Sequence, residues 1–187
     1  MKIAVVYHSG YGHTAEQAKA VARGAGSVAG AEVKMINVAE GETPWAELES
    51  ADAIIFGSPT YMGSVSAPFK KFMDDSSKPW YERKWKDKIA AGFTNSASQS
   101  GDKLNTLQTL AIFAAQHGML WVGLDLLPGN NNSKGSVEDL NRLGSFLGAM
   151  AQSNADQGPE NGPIASDLKT AEHLGARVAT LTAKFTK

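Results

Sequence analysis

The chain has 187 residues, 42% of them hydrophobic, which is enough for one domain with a substantial buried core. Its net charge of −1 gives no bulk attraction to nucleic acid or to an anionic membrane, and the lack of cysteine excludes disulfides and thiol catalysis. The apolar run at the start is too short for a signal peptide, and no segment approaches the ~20 apolar residues of a membrane helix. We therefore expect one cytoplasmic domain, residues 1–187, with neither nucleic acid nor membrane as a partner.

Short apolar runs alternate with stretches of helical spacing along the chain. The five runs, each a predicted strand, are Lys2–Tyr7, Glu32–Val38, Ala53–Gly57, Lys88–Thr94 and Met119–Asp125. Apolar residues at intervals of three and four predict helices that begin near Ala15, Phe69, Leu104 and Ala171, and the segment Thr43–Ser50 is a further, short helix candidate. This alternation predicts an α/β fold with a doubly wound parallel five-stranded sheet in the order 2-1-3-4-5.

One segment interrupts the alternation of strands and helices. Residues 126–163 are rich in Gly, Asn, Ser and Pro, and we predict that they form an insertion after strand five. Within it, the pattern that starts at Ser136 predicts a short capped helix. A long insertion in a compact domain is usually functional or an element of assembly.

The loop after the first strand has the composition of a phosphate site. In an open α/β sheet, ligands bind beyond the carboxyl ends of the strands, near the switch in strand order, which here lies between strands one and three. Two glycines permit a tight turn, while hydroxyls and the free N–H groups of the following helix bind an anion without Lys or Arg. Taken alone, the loop is equally well explained as a Gly-rich turn with a helix cap. Its residues are Ser9, Gly10, Tyr11, Gly12, His13 and Thr14.

The loops after the third and fourth strands are suited to hold a flat ring. The first of them offers an aromatic residue beside glycine, together with backbone amides, in Pro59, Thr60, Tyr61, Met62 and Gly63. The other is uncharged, with small side chains that let backbone N–H groups approach a ligand, in Thr94, Asn95, Ser96, Ala97, Ser98, Gln99 and Gly101. Each loop also has a purely structural explanation, the first as a loop with a surface Tyr and a helix cap at Ser66, the other as an ordinary flexible loop that ends in a helix cap. Their joint occurrence favours one long, flat, phosphorylated ligand.

Three motifs together resemble a known family. Tyr11-Gly12-His13, Gly57-Ser58-Pro59-Thr60 and Gln116-His117-Gly118-Met119 are similar to the flavodoxin-like WrbA group of NAD(P)H:quinone oxidoreductases and FMN reductases, over nearly the whole chain. The resemblance implies noncovalent FMN, with its phosphate on the first loop and its ring between the other two. It also implies NADH or NADPH as electron donor, a quinone or similar small molecule as acceptor, and a homodimer or homotetramer.

His117 is the candidate catalytic residue, because the resemblance places a histidine of this motif near the flavin. The alternative is a histidine at a helix C-terminus, where the helix dipole favours it. The residues themselves leave these two roles equally supported.

A flavodoxin-type electron carrier, or an FMN-binding protein without reductase activity, is the alternative function. Such carriers place carboxylates around the ring and thereby disfavour negative charge on the reduced form. Neither residues 58–71 nor residues 93–101 contain Asp or Glu, which favours a two-electron oxidoreductase. A phospho-acceptor receiver domain would need acidic residues after strands one and three, where Tyr7-His8-Ser9 and Gly57-Ser58-Pro59 stand instead.

Overall fold

A computed structural model describes residues 1–185 as one sheet between two layers of helices. The strands are β1 (Lys2–Tyr7), β2 (Glu32–Asn37), β3 (Ala53–Tyr61), β4 (Ser64–Val65), β5 (Ile89–Ser96), β6 (Leu120–Trp121) and β7 (Ala149–Gln152). The helices are α1 (His13–Gly26), α2 (Trp45–Ser50), α3 (Ala67–Asp75), α4 (Ser77–Tyr81), α5 (Lys103–Gln116) and α6 (Ala165–Phe185). The predicted alternation is confirmed, and α4 is a short addition that the apolar spacing did not predict.

The sheet has the order β2-β1-β3-β5-β6, with parallel neighbours throughout that path. β4 pairs only with the end of β3, in antiparallel orientation, and so stands outside the path. The main strands therefore follow the predicted order 2-1-3-4-5. The switch in strand order lies between β1 and β3, as expected for a doubly wound sheet.

The fifth position of the sheet differs from the prediction, because two short strands share it. Trp121 of β6 pairs with Ala90 near the start of β5, and Ala149 of β7 pairs with Phe93 farther along the same strand. The insertion therefore lies inside the fifth position, as residues 122–148, and not after it. The two ends of this insertion are joined by a hydrogen bond from the Trp121 indole N–H to the Leu147 carbonyl at 2.9 Å.

The helix predicted from Ser136 is wrong, since residues 122–148 contain no helix in the structure. A turn takes its place. The Asp139 carboxylate accepts hydrogen bonds from the amides of Ser136 and Asn130, both at 2.9 Å. A short acidic side chain that bonds nearby backbone amides stabilises a turn in competition with a helix.

Both faces of the sheet are buried, which explains the continuous apolar runs of its central strands. On β1, Ile3 and Val5 pack against α1 and α6, whereas Ala4 and Val6 pack in the layer that contains α2, α3 and α5. No helix within residues 1–185 combines the length and the apolar character needed to cross a bilayer.

Two glycines bring α1 and α6 into backbone contact. A Cβ added to Gly24 would lie 1.8 Å from the Glu172 carbonyl oxygen, and one added to Gly175 would lie 2.0 Å from that of Val21. A side chain at either position would force the helices apart. The contact holds the C-terminal half of α1, whose first turn begins at the first loop.

Candidate functional site

A cavity of about 500 Å³ opens at the carboxyl ends of β1, β3, β5 and β7. Its volume is in the range of pockets that hold small ligands. The structure brings together the three loops singled out in the sequence and adds a fourth, residues 153–158, which follows β7. The lining residues are Ser9, Tyr11, His13, Thr14, Pro59, Thr60, Tyr61, Asn95, Ser96, Ala97, Ser153, Ala155, Gln157 and Gly158.

The first loop presents the start of α1 to this cavity. The N–H groups in the first turn of a helix have no carbonyl partner within the helix. Ser9 Oγ accepts the hydrogen bond of the Ala15 amide at 3.1 Å, which leaves the amides of His13 and Thr14 for a ligand. These amides and the positive end of the helix dipole favour an anion without a Lys or Arg.

Two glycines of the first loop are required by what surrounds them. A Cβ on Gly10 would lie 2.5 Å from the Tyr61 hydroxyl oxygen. Gly12 has a φ of +90°, and a Cβ there would lie 2.7 Å from Cγ of Pro159. The first loop therefore packs tightly against the second loop and against the segment after β7, although neither glycine itself lines the cavity.

The second loop is in part a strand, because β3 runs past its predicted end at Gly57 as far as Tyr61. Met62 and Gly63 have φ values of 47° and 82° and form the two-residue turn of a hairpin between β3 and β4. Neither residue lines the cavity, and Met62 is fully exposed.

Two tyrosines form the rim of the cavity. The rings of Tyr11 and Tyr61 meet edge to face, with centroids 6.2 Å apart. Burial is the main cause that raises the pKa of the Tyr61 phenol, so this side chain stays neutral at physiological pH. The rim therefore offers apolar ring faces without charge, to which a flat ring can stack.

The third loop supplies Asn95, Ser96 and Ala97 to the cavity. The other candidates from this loop lie outside the lining and are Thr94, Ser98, Gln99 and Gly101. Thr94 is fully buried, and its hydroxyl is hydrogen-bonded to the Thr60 hydroxyl at 2.9 Å, which joins β5 to β3.

Lys103 supports the third loop, and the sequence analysis missed it. Its Nζ donates to Ser96 Oγ at 2.8 Å and to the carbonyls of Ser98 and Gln99, both at 2.9 Å. The signal was a lysine close behind a run of small polar residues that itself lacks charge.

The fourth loop was also missed, because strand five was predicted to end at Asp125. Ser153 Oγ donates to the Asn95 side-chain carbonyl at 3.1 Å, and His13 Nε2 donates to the Gln157 carbonyl at 2.9 Å. The fourth loop therefore connects the third loop to the start of α1. The signal in the sequence was a small apolar run at Ala149–Gln152 followed at once by polar residues.

The cavity wall carries no permanent charge. Among the described residues that line it, none is Asp, Glu, Lys or Arg. The fourth loop, unlike the second and third, contains an acid, Asp156, but this residue stands outside the lining. A neutral wall beside a helix N-terminus accepts a phosphate and does not oppose further negative charge on the same ligand.

The structure does not bring His117 to the cavity of its own chain. His117 follows α5 and precedes β6, at the amino ends of the strands, whereas the cavity lies at their carboxyl ends. Its ring stacks on Trp85 with centroids 4.2 Å apart, and Nε2 donates to Ser76 Oγ at 3.0 Å. Burial, and after it the charge of Arg83, lowers the pKa of His117 to about 4, so the imidazole is neutral.

Comparison with known proteins places this geometry in a family. A model of NADPH-dependent FMN reductases matches residues 44–131. The chain is 45% identical to flavodoxin FldP of Pseudomonas aeruginosa, covering 96% of each protein, and 34% identical to an NAD(P)H dehydrogenase (quinone) of Archaeoglobus fulgidus, covering 98% of each. A solved flavodoxin, a WrbA-like protein from Agrobacterium tumefaciens, is 48% identical over 98% of both chains, with a TM-score of 0.74. The chain belongs to the WrbA-like flavodoxin family.

Membership in the WrbA-like family confirms the resemblance drawn from the three motifs and the flavodoxin-like fold. An archaeal flavodoxin that is 23% identical, with a TM-score of 0.67 over 98% of this chain, shares the fold as well. The fold thus extends well beyond close sequence relatives.

Proposed function

We propose that this WrbA-like protein transfers two electrons from NAD(P)H, through bound FMN, to a quinone or a similar small acceptor. The observation that carries the proposal is the uncharged cavity that joins the start of α1 to the Tyr11–Tyr61 rim. The family comprises oxidoreductases that use FMN and NAD(P)H, which confirms the expected class of enzyme and cofactors. The identity of the acceptor belongs to the proposal.

The residues present fit FMN. The amides of His13 and Thr14, at the start of α1, provide donors for its phosphate. The segments Pro59–Tyr61 and Asn95–Ala97 both line the cavity and offer uncharged surface to a planar ring. Bound FMN supplies the chemistry of hydride acceptance, while the protein supplies position and electrostatics.

The side chains at the opening determine what the electron donor and acceptor meet. The Tyr11 and Tyr61 rings offer apolar contact to a nicotinamide and later to a quinone, which use the same opening in turn. The neutral wall leaves negative charge on the reduced cofactor unopposed, a condition that suits two-electron transfer. Alternating use of one opening predicts ping-pong kinetics.

The phosphate loop is tested by the substitution Ser9→Asp. A carboxylate beside the phosphate repels it, and we expect FMN affinity to fall at least about 100-fold, which is roughly 2.7 kcal/mol. Ser9→Asn is the matched control, since it has the same size without the charge, and it should lose less than about tenfold. Fluorescence titration of the apoprotein with FMN measures both, and equal affinities of S9D and wild type would refute the site.

Activity separates the oxidoreductase from an electron carrier, the function suggested by the name of the FldP relative. The assay is steady-state oxidation of NADH and NADPH with benzoquinone by FMN-loaded protein, compared with free FMN. Turnover above the free-FMN background supports the oxidoreductase. Oxidation of neither nucleotide above that background would favour the carrier.

A further inference from the structure

Lys103 is an unusual residue at its position, because only 1% of its surface is exposed although it ends in an amine. Burying an ammonium is unfavourable unless hydrogen bonds and charges compensate for lost water. A side chain that served only to fill space would be apolar. The partners of the amine therefore indicate its role.

Three oxygen atoms surround the Lys103 amine, and all belong to the third loop. Nζ donates to Ser96 Oγ, to the Ser98 carbonyl and to the Gln99 carbonyl at 2.8–2.9 Å. Ser96 Oγ itself donates to the Ser98 carbonyl at 3.0 Å, so towards Lys103 it acts as an acceptor. An ammonium has three N–H donors, one for each oxygen, whereas a neutral amine has two.

The amine lies one hydrogen bond behind the cavity wall, because Ser96 both accepts from Nζ and lines the cavity. Two further charged groups act on it, Asp167 and Arg142. These two pair with each other through two 2.8 Å hydrogen bonds and so largely cancel. Burial lowers the pKa of Lys103 to about 8, which leaves it mostly cationic at neutral pH.

We propose that Lys103 is a positioning residue for FMN, whose ammonium holds the third loop in the shape that accepts the ring and whose charge favours the two-electron reduced cofactor. The proposal rests on FMN as the ligand of this cavity. No carboxylate in the described wall of the cavity offsets this charge. Reduction adds negative charge to the bound ring, so a cation behind the wall stabilises the reduced form more than the oxidised form.

The test is Lys103→Met, which keeps the length of the side chain and removes its charge and donors. We expect the dissociation constant for oxidised FMN to rise about tenfold, as the third loop loses three hydrogen bonds. We also expect the preference for reduced over oxidised FMN to fall about tenfold, which lowers the two-electron midpoint potential by about 30 mV. Fluorescence titration and equilibration with reference dyes measure the two quantities.

Lys88→Met is the matched control. Lys88 is also partly buried, burial lowers its pKa, and its Nζ donates to the backbone carbonyls of Glu49 and Ala51, but it lies at the opposite end of β5. K88M should lose stability as well and yet keep the FMN affinity and the midpoint potential of the wild type within about twofold. A change in FMN affinity or midpoint potential in K103M that is absent in K88M would therefore come from the position of Lys103 behind the cavity wall, and not from the loss of a buried lysine as such.

A pH profile distinguishes the charge of Lys103 from its bulk. Wild-type affinity for FMN should be full between about pH 7, above the second pKa of the phosphate, and pH 8, and should decline as pH rises through the pKa of Lys103, since the neutral amine leaves one loop oxygen without a donor. K103M should lack this decline. The same decline in wild type and K103M would overturn the role of Lys103.

The outcomes separate this proposal from the proposed function. If wild-type apoprotein does not bind FMN, the proposed function is refuted, and the proposal for Lys103, which rests on it, is refuted with it. If it binds and K103M keeps wild-type affinity and potential, the proposal for Lys103 alone is refuted. If K103M does not fold, as judged by circular dichroism, Lys103→Gln retains a donor without the charge. K103Q must then show the lowered potential, and an unchanged potential would contradict the proposal.

Discussion

His117 lies in a buried aromatic environment that disfavours a second proton on its imidazole ring. Its ring lies between Trp85 and Phe113, and Nδ1 has no hydrogen-bond partner among the described residues. Since Ser76 Oγ donates to the Met73 carbonyl at 2.7 Å, it accepts from Nε2, and the imidazole is the neutral Nε2–H form. Protonation would add a buried N–H without an acceptor, in agreement with the pKa lowered to about 4.

This environment predicts a specific loss of stability in acid. The unfolded chain binds a proton at His117 below about pH 6.5, and the folded protein does so only near pH 4. The stabilisation is present above pH 6.5 and is lost between pH 6.5 and 4, by up to about 3 kcal/mol. In urea unfolding at a series of pH values, His117→Phe should show a shallower decline than the wild type. Parallel profiles would contradict this assignment.

At the scale of elements, the backbone contact between α1 and α6 leaves no room for a side chain at Gly24 or Gly175. Gly24→Ala or Gly175→Ala would place a methyl group against a backbone carbonyl, and we expect each to lower the free energy of unfolding by at least about 2 kcal/mol. Gly26→Ala is the control on the same helix, because its Cβ would lie 3.9 Å from Val33 and the change should stay within about 1 kcal/mol. Chemical denaturation measures all three, and equal effects would contradict the close contact.

At the scale of the whole molecule, a buried ion pair ties the insertion to the sheet and to α6. Arg142 and Asp167 are 6% and 2% exposed in their side chains, and Asp167 also accepts from the Gln152 amide at 2.9 Å. Asp167→Asn leaves the Arg142 charge buried without a counter-ion, which should cost about 3–5 kcal/mol. It should also weaken FMN binding, since Gln152 leads into the fourth loop.

Asp125→Asn is the control for the buried pair. Asp125 pairs with Arg177 and His173 at the surface, where its side chain is 45% exposed. Removing such a pair should cost less than about 1 kcal/mol. Urea unfolding and FMN titration should therefore separate D167N from D125N, and similar losses in both would show that the buried pair has no special role. A homodimer or homotetramer stays a prediction, which light scattering on the purified protein checks.

Much of the fold follows from the sequence because local patterns determine it. The apolar runs at Lys2–Tyr7 and Ala53–Gly57 mark buried strands, and chain order places the loops after them at one edge of the sheet. Three of the four loops of the cavity could be predicted on this basis. The motif that contains His117 did not show at which edge of the sheet this residue lies. Because His117 precedes a strand of a parallel sheet, it lies at the amino end, away from the cavity.

The parts that the sequence did not reveal depend on long-range pairing. β6 spans only Leu120–Trp121, too short to show a period, and the return of the chain at Ala149 is decided by pairing with Phe93. The fourth loop and the hydrogen bonds of Lys103 follow from that return. The short apolar run at Ala149–Gln152 is a local signal of that return, but it does not show with which strand the run pairs.

Because β6 and β7 pair separately with β5, the length of the insertion between them does not determine their register in the sheet. Between Ala90 and Phe93 the neighbouring strand advances by three positions, while the chain beside it passes from Trp121 to Ala149. The two ends of the detour are thus neighbours in space. Core residues such as Val122 and Leu124 and the buried Arg142 anchor both arms of the insertion, whereas its tip, residues 131–134, is exposed. The tip is therefore the natural place to graft a peptide, or to open new chain termini, without moving the cavity.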